Sequence, residues 1–429
     1  MKNKATGPRV VASAGGRRSP KGSMKIALVQ PRSFHSWEAL NIGYLASYLR
    51  SKGYHDLAFY SGFFDSEEHV VQGCREADIV GFSCTSPQMS HALHLAKRIK
   101  NKYNYVVFGG VHPSALPDET LSHEYIDAVV QGEGERALFD IVSGNRSRLV
   151  KCDYIADLDL LPFPDRRLVK QERNIQVAYK DNGERIASLL AGRGCPYRCV
   201  FCASHAVWSR RLRYRSTENV LDEFEQVVAD WKVDFIKFSD DTFGLNKVWV
   251  ARFCDEKLGR GISTPWGCNV RVNGVDEKTL SVMRQAGCRE VWAGVESGST
   301  RILDDMKKGI ELAEIEWFFA KTRELGFFRR AYVLLGMPNE TYDDIKLTEE
   351  LIDRIKPDSV GFTILAPYPG TDTYNAAVYA DTDWSVVDEY ENRLVRTAHL
   401  SNEDIRREQQ RLAQKYKEKL VFRQRPGLK

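Results

Sequence analysis

Three cysteines stand close together in the stretch GRGCPYRCVFCAS: Cys195, Cys199 and Cys202, in the spacing CxxxCxxC. Thiolates grouped this way suit three irons of a cubane iron-sulfur cluster, and no fourth cysteine follows at a comparable spacing. One iron would then keep an open coordination position, which separates a reactive metal site from a closed structural one. Gly192 and Gly194 admit close approach of the backbone, and Tyr197 and Phe201 supply apolar cover. Two other readings fit less well. Zinc knuckles favour paired CxxC units completed by Cys or His, and His205 follows too closely to complete one. Disulfides suit neither an odd count of nine cysteines nor a chain with no secretory pattern.

With Phe201 immediately before the third cysteine, the motif resembles the radical S-adenosylmethionine (SAM) superfamily. That resemblance implies a 4Fe-4S cluster on Cys195, Cys199 and Cys202, SAM on the open iron with Phe201 beside it, and an external electron donor. It also implies SAM contacts further along. Asp240 and Asp241 of SDDTF fall where the family meets the methionyl amino group, although Asp241 also reads as an acid starting a helix. Arg271 of NVR suits a carboxylate. Glu296 and Ser297 of GVESGS suit ribose hydroxyls or the methionyl carboxylate, and the turn in LLGMPNET would lie along adenine.

These residues need elements to hold them. Strand-like runs at 186–190, 233–239, 266–271, 290–295, 330–335 and 359–365 alternate with helical patterns at 217–231, 247–259, 311–325 and 342–355. Six units fall short of the eight of a closed barrel, so residues 186–371 are expected to form a partial (β/α)6 barrel, the radical SAM core. Upstream, residues 24–150 show strands at 25–31, 57–60, 78–83, 105–108 and 127–130 between helices such as 38–52 and 90–101. This alternation predicts an α/β domain, Rossmann-like and doubly wound around a parallel sheet.

Ligands of such sheets lie beyond the carboxyl ends of the strands, where this chain has SCTSP, GGVHP and QGEGE. No GxGxxG follows the first strand, so a dinucleotide fits poorly. The loops look like those of the cobalamin-binding domain that precedes many radical SAM domains. The likeness implies cobalamin contacts at Thr85, Ser86, Gly109, Gly110, Val111, Gln131, Gly132 and Glu133. The DxHxxG motif that supplies a lower axial His is absent, which implies cobalt with no protein His below it; His112, beside Pro113, reads as a turn residue. A ligand-free docking module is the alternative. Cys74, Cys84 and Cys152 read as incidental thiols.

Residues 151–185 read as a connector broken by prolines. The basic run WSRRLRYR, 208–215, reads either as a solvated loop bridging to acids or as a substrate-facing element. Residues 372–429 form a small, mainly helical C-terminal segment, with a helix starting at Ser401, boxed by Asp404, and an apolar face of Ile405, Leu412, Tyr416 and Leu420. Residues 1–23 carry six basic side chains and no acid, a composition expected of a disordered tail. The net charge of +4 comes from that tail, so nucleic acid is not an expected partner. No run nears the ~18 apolar residues of a membrane span, and a cytoplasmic location is expected.

A cobalamin-type domain ahead of a radical SAM barrel resembles the class B radical SAM methyltransferases. The resemblance implies methylation of an unactivated sp3 carbon, which has no lone pair with which to attack SAM directly. It further implies a protein or peptide residue as substrate, a glutamine of methyl-coenzyme M reductase being the specific instance. Two alternatives stay open: a non-methylating oxidoreductase or cyclase of the same type, acting on a tetrapyrrole, and a non-catalytic sensor that binds cluster and cobalamin.

Overall fold

The computed structural model describes residues 24–32, 37–390 and 392–419; the basic segment 1–23 and Leu420 lie outside them. Strand β1 (Ile26–Gln30) is apolar on both faces. Ile26 and Leu28 pack with Ile42, Ala46 and Leu49 of helix Leu40–Ser51, while Ala27 and Val29 join Ala92, Leu95 and Ile99 of helix Met89–Ile99. A strand buried on both faces belongs in the middle of a parallel sheet. It pairs with β2 (Leu57–Ser61) on one side and β3 (Ile79–Ser83) on the other. With β4 (Tyr105–Gly109), β5 (Ala128–Gln131) and β6 (Leu149–Lys151), the order is β2-β1-β3-β4-β5-β6, all parallel. The order reverses between β1 and β3, and the loops after these strands open a crevice there. Strand β6 goes beyond the five expected; only Val150 of its residues is buried, too short a pattern to read.

The second sheet begins with β7 (Ile186–Leu189), after which β8 (Gly192–Arg193) and β9 (Arg213–Tyr214) form a short antiparallel clip. Then follow β10 (Phe235–Phe243), β11 (Trp266–Val270), β12 (Cys288–Glu296), β13 (Phe328–Leu335) and β14 (Ser359–Ile364). The order β14-β13-β12-β11-β10-β7 is parallel throughout, and among the described residues neither β14 nor β7 pairs with a further strand, which leaves a curled partial barrel. Helices Thr217–Trp231, Lys247–Gly259 and Tyr342–Ile355 occupy the spans their periodicity predicts, and each starts at a side-chain cap: Ser216, Asn246 and Thr341. The ring of Phe238 meets Phe253 and Trp266 edge-on at 5.6 and 5.5 Å, locking β10 and β11 to the helix between them.

The connector contains a helix, Gln171–Asn182, in which Ile175 is the one buried apolar side chain, so its periodicity is faint in the sequence. At the other end, helix Asn402–Lys415 starts at the Ser401–Asp404 capping box and buries Ile405 and Leu412. Its Gln409 amide donates to the Phe362 carbonyl at 3.1 Å and the Tyr390 carbonyl at 3.0 Å, covering the β14 edge. Among the described residues no helix is long and apolar enough to cross a membrane.

Candidate cofactor and active site

The cluster loop is held from several directions. Asp240 accepts the backbone N–H groups of Ala191 at 3.1 Å and Gly192 at 2.6 Å, which fixes the loop's entry. The clip approaches so closely that a Cβ on Gly194, whose φ is +94°, would lie 2.3 Å from the Arg211 carbonyl oxygen. Tyr197 stacks on the guanidinium of Arg271 at 3.7 Å, and Arg271 is itself fixed by the Gly309 carbonyl at 2.9 Å. The Val200 N–H donates to Met306, and the ammonium of Lys308 lies 5.7 Å from the Phe201 ring centre.

Cys195, Cys199 and Cys202 are all partly exposed along this loop. Burial raises Cys195 and Cys202 above the ordinary thiol range, with the charge of Asp241 adding to it. The three thiols lie near enough to act on one another, the charges of Cys202 and Cys199 adding to the rise at Cys195, which is the neighbourhood that three ligands of one cubane require.

The other expected SAM residues divide by what they touch. Glu296, in the left-handed region at φ 62°, pairs with Lys308 at 2.6 Å, and that ammonium reaches Phe201, so these three form one group under the loop. Ser297 is buried elsewhere: its hydroxyl meets Thr348 at 3.2 Å and accepts the Ser299 N–H at 3.1 Å. Asp240 and Arg271 support the loop from behind. The acid that opens on the cavity is Asp241, which continues strand β10 rather than starting a helix. The signal was the two-residue period of IKFSDDTF: Phe238, Asp240 and Thr242 are buried, whereas Lys237, Ser239 and Asp241 line the cavity.

That cavity, about 950 Å³, runs between the two sheets. Thr85, Ser86, Gly109, Gly110, Val111, Gly132 and Glu133 line it from the first domain; Ala203, Trp208, Asp241 and Asn269 line it from the barrel. Gly109 and Gly132 have nothing closer than 3.6 and 3.8 Å where a Cβ would stand, so side chains there would fill a cradle that now belongs to the cavity. The small residues and the volume fit a cobalamin. Gln131 instead turns its amide to the Ser114 carbonyl at 3.0 Å. His112 lies in a helical turn, Val111–Ala115, not a loose one; it is buried, with Nδ1 2.9 Å from the hydroxyl of Ser86 and Nε2 3.5 Å from Glu119, so both ring nitrogens have protein partners.

Glu133 has a further task. Its carboxylate takes both Arg213 Nη atoms, at 2.7 and 3.1 Å, and the Ile155 N–H at 2.8 Å, while Arg193 pairs with Glu135 at 2.7 Å. Burial opposes ionisation of Glu133, but Arg213 and Arg193 outweigh it and hold the carboxyl below its usual range. The basic run is therefore a bridge to acids, but across the domain interface: Arg213 meets the first domain, and Arg215 meets Glu223 of helix Thr217–Trp231 at 2.5 Å.

Residues 189–352 match the Radical SAM superfamily, and residues 32–142 match the B12 binding domain. An uncharacterized methyltransferase of Pyrococcus horikoshii is 30% identical over 79% of this chain and 78% of its own length. The anaerobic magnesium-protoporphyrin IX monomethyl ester cyclase of Rubrivivax gelatinosus is 27% identical over 82% of this chain and 69% of its own. Among solved structures, the radical SAM methyltransferase TsrM from Kitasatospora setae, with cobalamin and a [4Fe-4S] cluster bound, superposes with a TM-score of 0.67 at 19% identity, covering 82% of this chain and 74% of that one.

Proposed function

Because this chain belongs to the cobalamin-dependent radical SAM methyltransferases, with a 4Fe-4S cluster, SAM and cobalamin as its cofactors, we propose that it methylates an unactivated sp3 carbon of a substrate held in the interdomain cavity. The observation that carries this reading is the cavity itself, walled on one side by the Gly109 and Gly132 loops and on the other by the cluster loop and Asp241. Together the cofactors supply a carbon radical from SAM and a transferable methyl group. The protein's part is position and dryness. Asp240 and the clip fix the loop bearing the thiols. Asp241 is the acid placed to accept from the amino group of SAM, and Phe201, kept in place by Lys308 and Glu296, is the apolar wall beside it. Trp208 and Tyr44 close the cavity against water, and Arg193 lies against both rings, at 4.8 and 5.2 Å.

A peptide substrate gains no support from this geometry. The cavity is bounded by both domains, and Tyr368 after the last barrel strand and Tyr390 of the C-terminal segment also line it. A small molecule is the better reading. The likeness to a tetrapyrrole cyclase favours one second reading, a ring-forming oxidation without methyl transfer. Anaerobic reconstitution with iron, sulfide and cobalamin, followed by reduction with SAM, tests both. Formation of S-adenosylhomocysteine together with 5′-deoxyadenosine is the expected result; 5′-deoxyadenosine alone in the presence of a consumed substrate favours the oxidation. Neither product from protein with an intact cluster would overturn the enzymatic reading.

A further inference from the structure

From Gly192 to Arg215 the chain carries six arginines and His205 but no Asp or Glu. The arginines divide by what they meet. Arg193, Arg213 and Arg215 each reach a carboxylate brought by another element: Glu135 at 2.7 Å, Glu133 at 2.7 Å and Glu223 at 2.5 Å. Arg198, Arg210 and Arg211 form no ion pair among the described residues, and Arg198 and Arg211 stand exposed. Half of this basic segment therefore holds the domains together, and the other half is left on the surface.

These three surround the cysteine loop. Arg198 lies between Cys195 and Cys199 in the chain, two residues from exposed Pro196. Arg210 donates to the Tyr197 carbonyl at 2.6 Å, which sets its guanidinium against the same turn. Arg211 brings its carbonyl against Gly194, the residue before Cys195. None of the three lines the interdomain cavity, whose arginines are Arg193 and Arg330. Their charge is thus not turned to a substrate or a cobalamin in that cavity. In the groove beside Val200, on another flank of the loop, Asp372 pairs with Lys307 at 3.6 Å and Asp305 lies 4.0 Å from Arg301, so these acids have cations of their own.

We propose that Arg198, Arg210 and Arg211 mark the docking surface of a small acidic electron-carrier protein, which sets its redox centre against the outside of the cysteine loop. This inference rests on reading Cys195, Cys199 and Cys202 as the ligands of one cluster. The carrier is oxidised by one electron and the cluster is reduced by one; no bond or proton moves. All three cysteines are partly exposed, so the path from a docked carrier is short. Carboxylates on the carrier would meet the guanidinium groups in charge-assisted hydrogen bonds, and opposite charge speeds the encounter more than it tightens the complex. That suits a partner that must arrive, transfer and leave. Electron-transfer contacts are small, under about 1,200 Å², an area that one loop and the turn packed on it can supply.

The test is anaerobic biolayer interferometry of the reconstituted holoenzyme with a reduced acidic ferredoxin as the probe. Association should slow about tenfold or more between ~0.05 and ~0.5 M salt. Arg198→Glu combined with Arg211→Glu should slow it about tenfold or more at low salt, whereas Arg198→Lys combined with Arg211→Lys, which keeps the charge, should stay within a few-fold of wild type. Iron content, cobalamin retention and SAM cleavage driven by dithionite, which needs no docking, should not change, while cleavage driven by the ferredoxin should fall with the association rate. A ferredoxin that does not bind, or that binds wild type and the double Glu variant equally, would overturn the proposal. So would loss of iron from the double Glu variant, because the arginines would then support the cluster, and so would salt-sensitive capture of RNA in place of the ferredoxin. Absence of dithionite-driven SAM cleavage by the wild type counts against the proposed function and leaves the association rates to decide this point alone.

Discussion

At the scale of single residues, the three cysteines carry the strongest consequence. If each thiolate takes a different iron, as proposed, no neighbour can substitute; Cys199→Ala should abolish cluster assembly, read as loss of the 4Fe-4S absorbance after reconstitution and of SAM cleavage. Glu340 makes a quieter prediction. It is buried beside Gly336, whose N–H it accepts, and one of its carboxylate oxygens has no partner. Burial pushes its pKa up to about 8 from 4.5. A raised carboxyl pKa means the folded state holds its proton longer than the unfolded chain, so this group makes stability fall as pH rises from about 4.5 to about 8. Glu340→Gln should flatten that decline, by ~1 kcal/mol or more at pH 8 in urea titrations. The thiol spacing was legible in the sequence because the proposed ligands lie within one short loop. Asp241 was legible only through strand alternation, and Ser297 was not legible at all, since its partner Thr348 comes from a helix much later in the chain.

At the scale of elements, the barrel strands announced themselves because each is a short apolar run between capped helices. The helix Gln171–Asn182 did not, because it buries so little apolar surface, and β6 was too short. The C-terminal helix shows how a capped segment becomes part of the barrel. Ser401→Ala removes the side chain that accepts the Asp404 N–H and should cost about 1 kcal/mol, visible as faster amide exchange in the first turn of this helix. Further along, Glu349 pairs with Arg411 at 2.6 Å and Lys415 at 2.7 Å, and the hydrogen bond from Arg411 leads in drawing its pKa down to about 2. A lowered carboxyl pKa contributes stability that is full above the unfolded value near 4.5 and lost as pH falls toward 2. The pair is partly solvated, so the contribution is about 0.5–1 kcal/mol. Exchange of the helix Asn402–Lys415 should therefore quicken between pH 5 and pH 3, ahead of the barrel strands; equal protection of both would contradict this.

At the scale of the whole molecule, the two domains are joined by buried charge. Removing one member of a buried pair leaves its partner uncompensated at about 3–5 kcal/mol, so Glu133→Ala, which strands Arg213, should lower the urea midpoint and expose the connector to limited proteolysis. Composition and motif order were enough to read a cobalamin-type domain followed by a partial barrel. They were silent on this interface, because QGEGE reads equally well as a ligand loop and as a docking surface, and its glutamates find their arginines only in three dimensions. The clip that carries Arg193 and Arg213 also fences the cysteines, which has a consequence for biosynthesis. A ribosome delivers Glu135 58 residues before Arg193 and Glu133 80 residues before Arg213. At ~5–20 residues per second, the first domain waits several seconds with unpaired acids on its rim. The arrival of the clip ends that wait and shapes the cysteine loop in the same event, so the nascent chain becomes competent to receive its cluster only when its two halves have met.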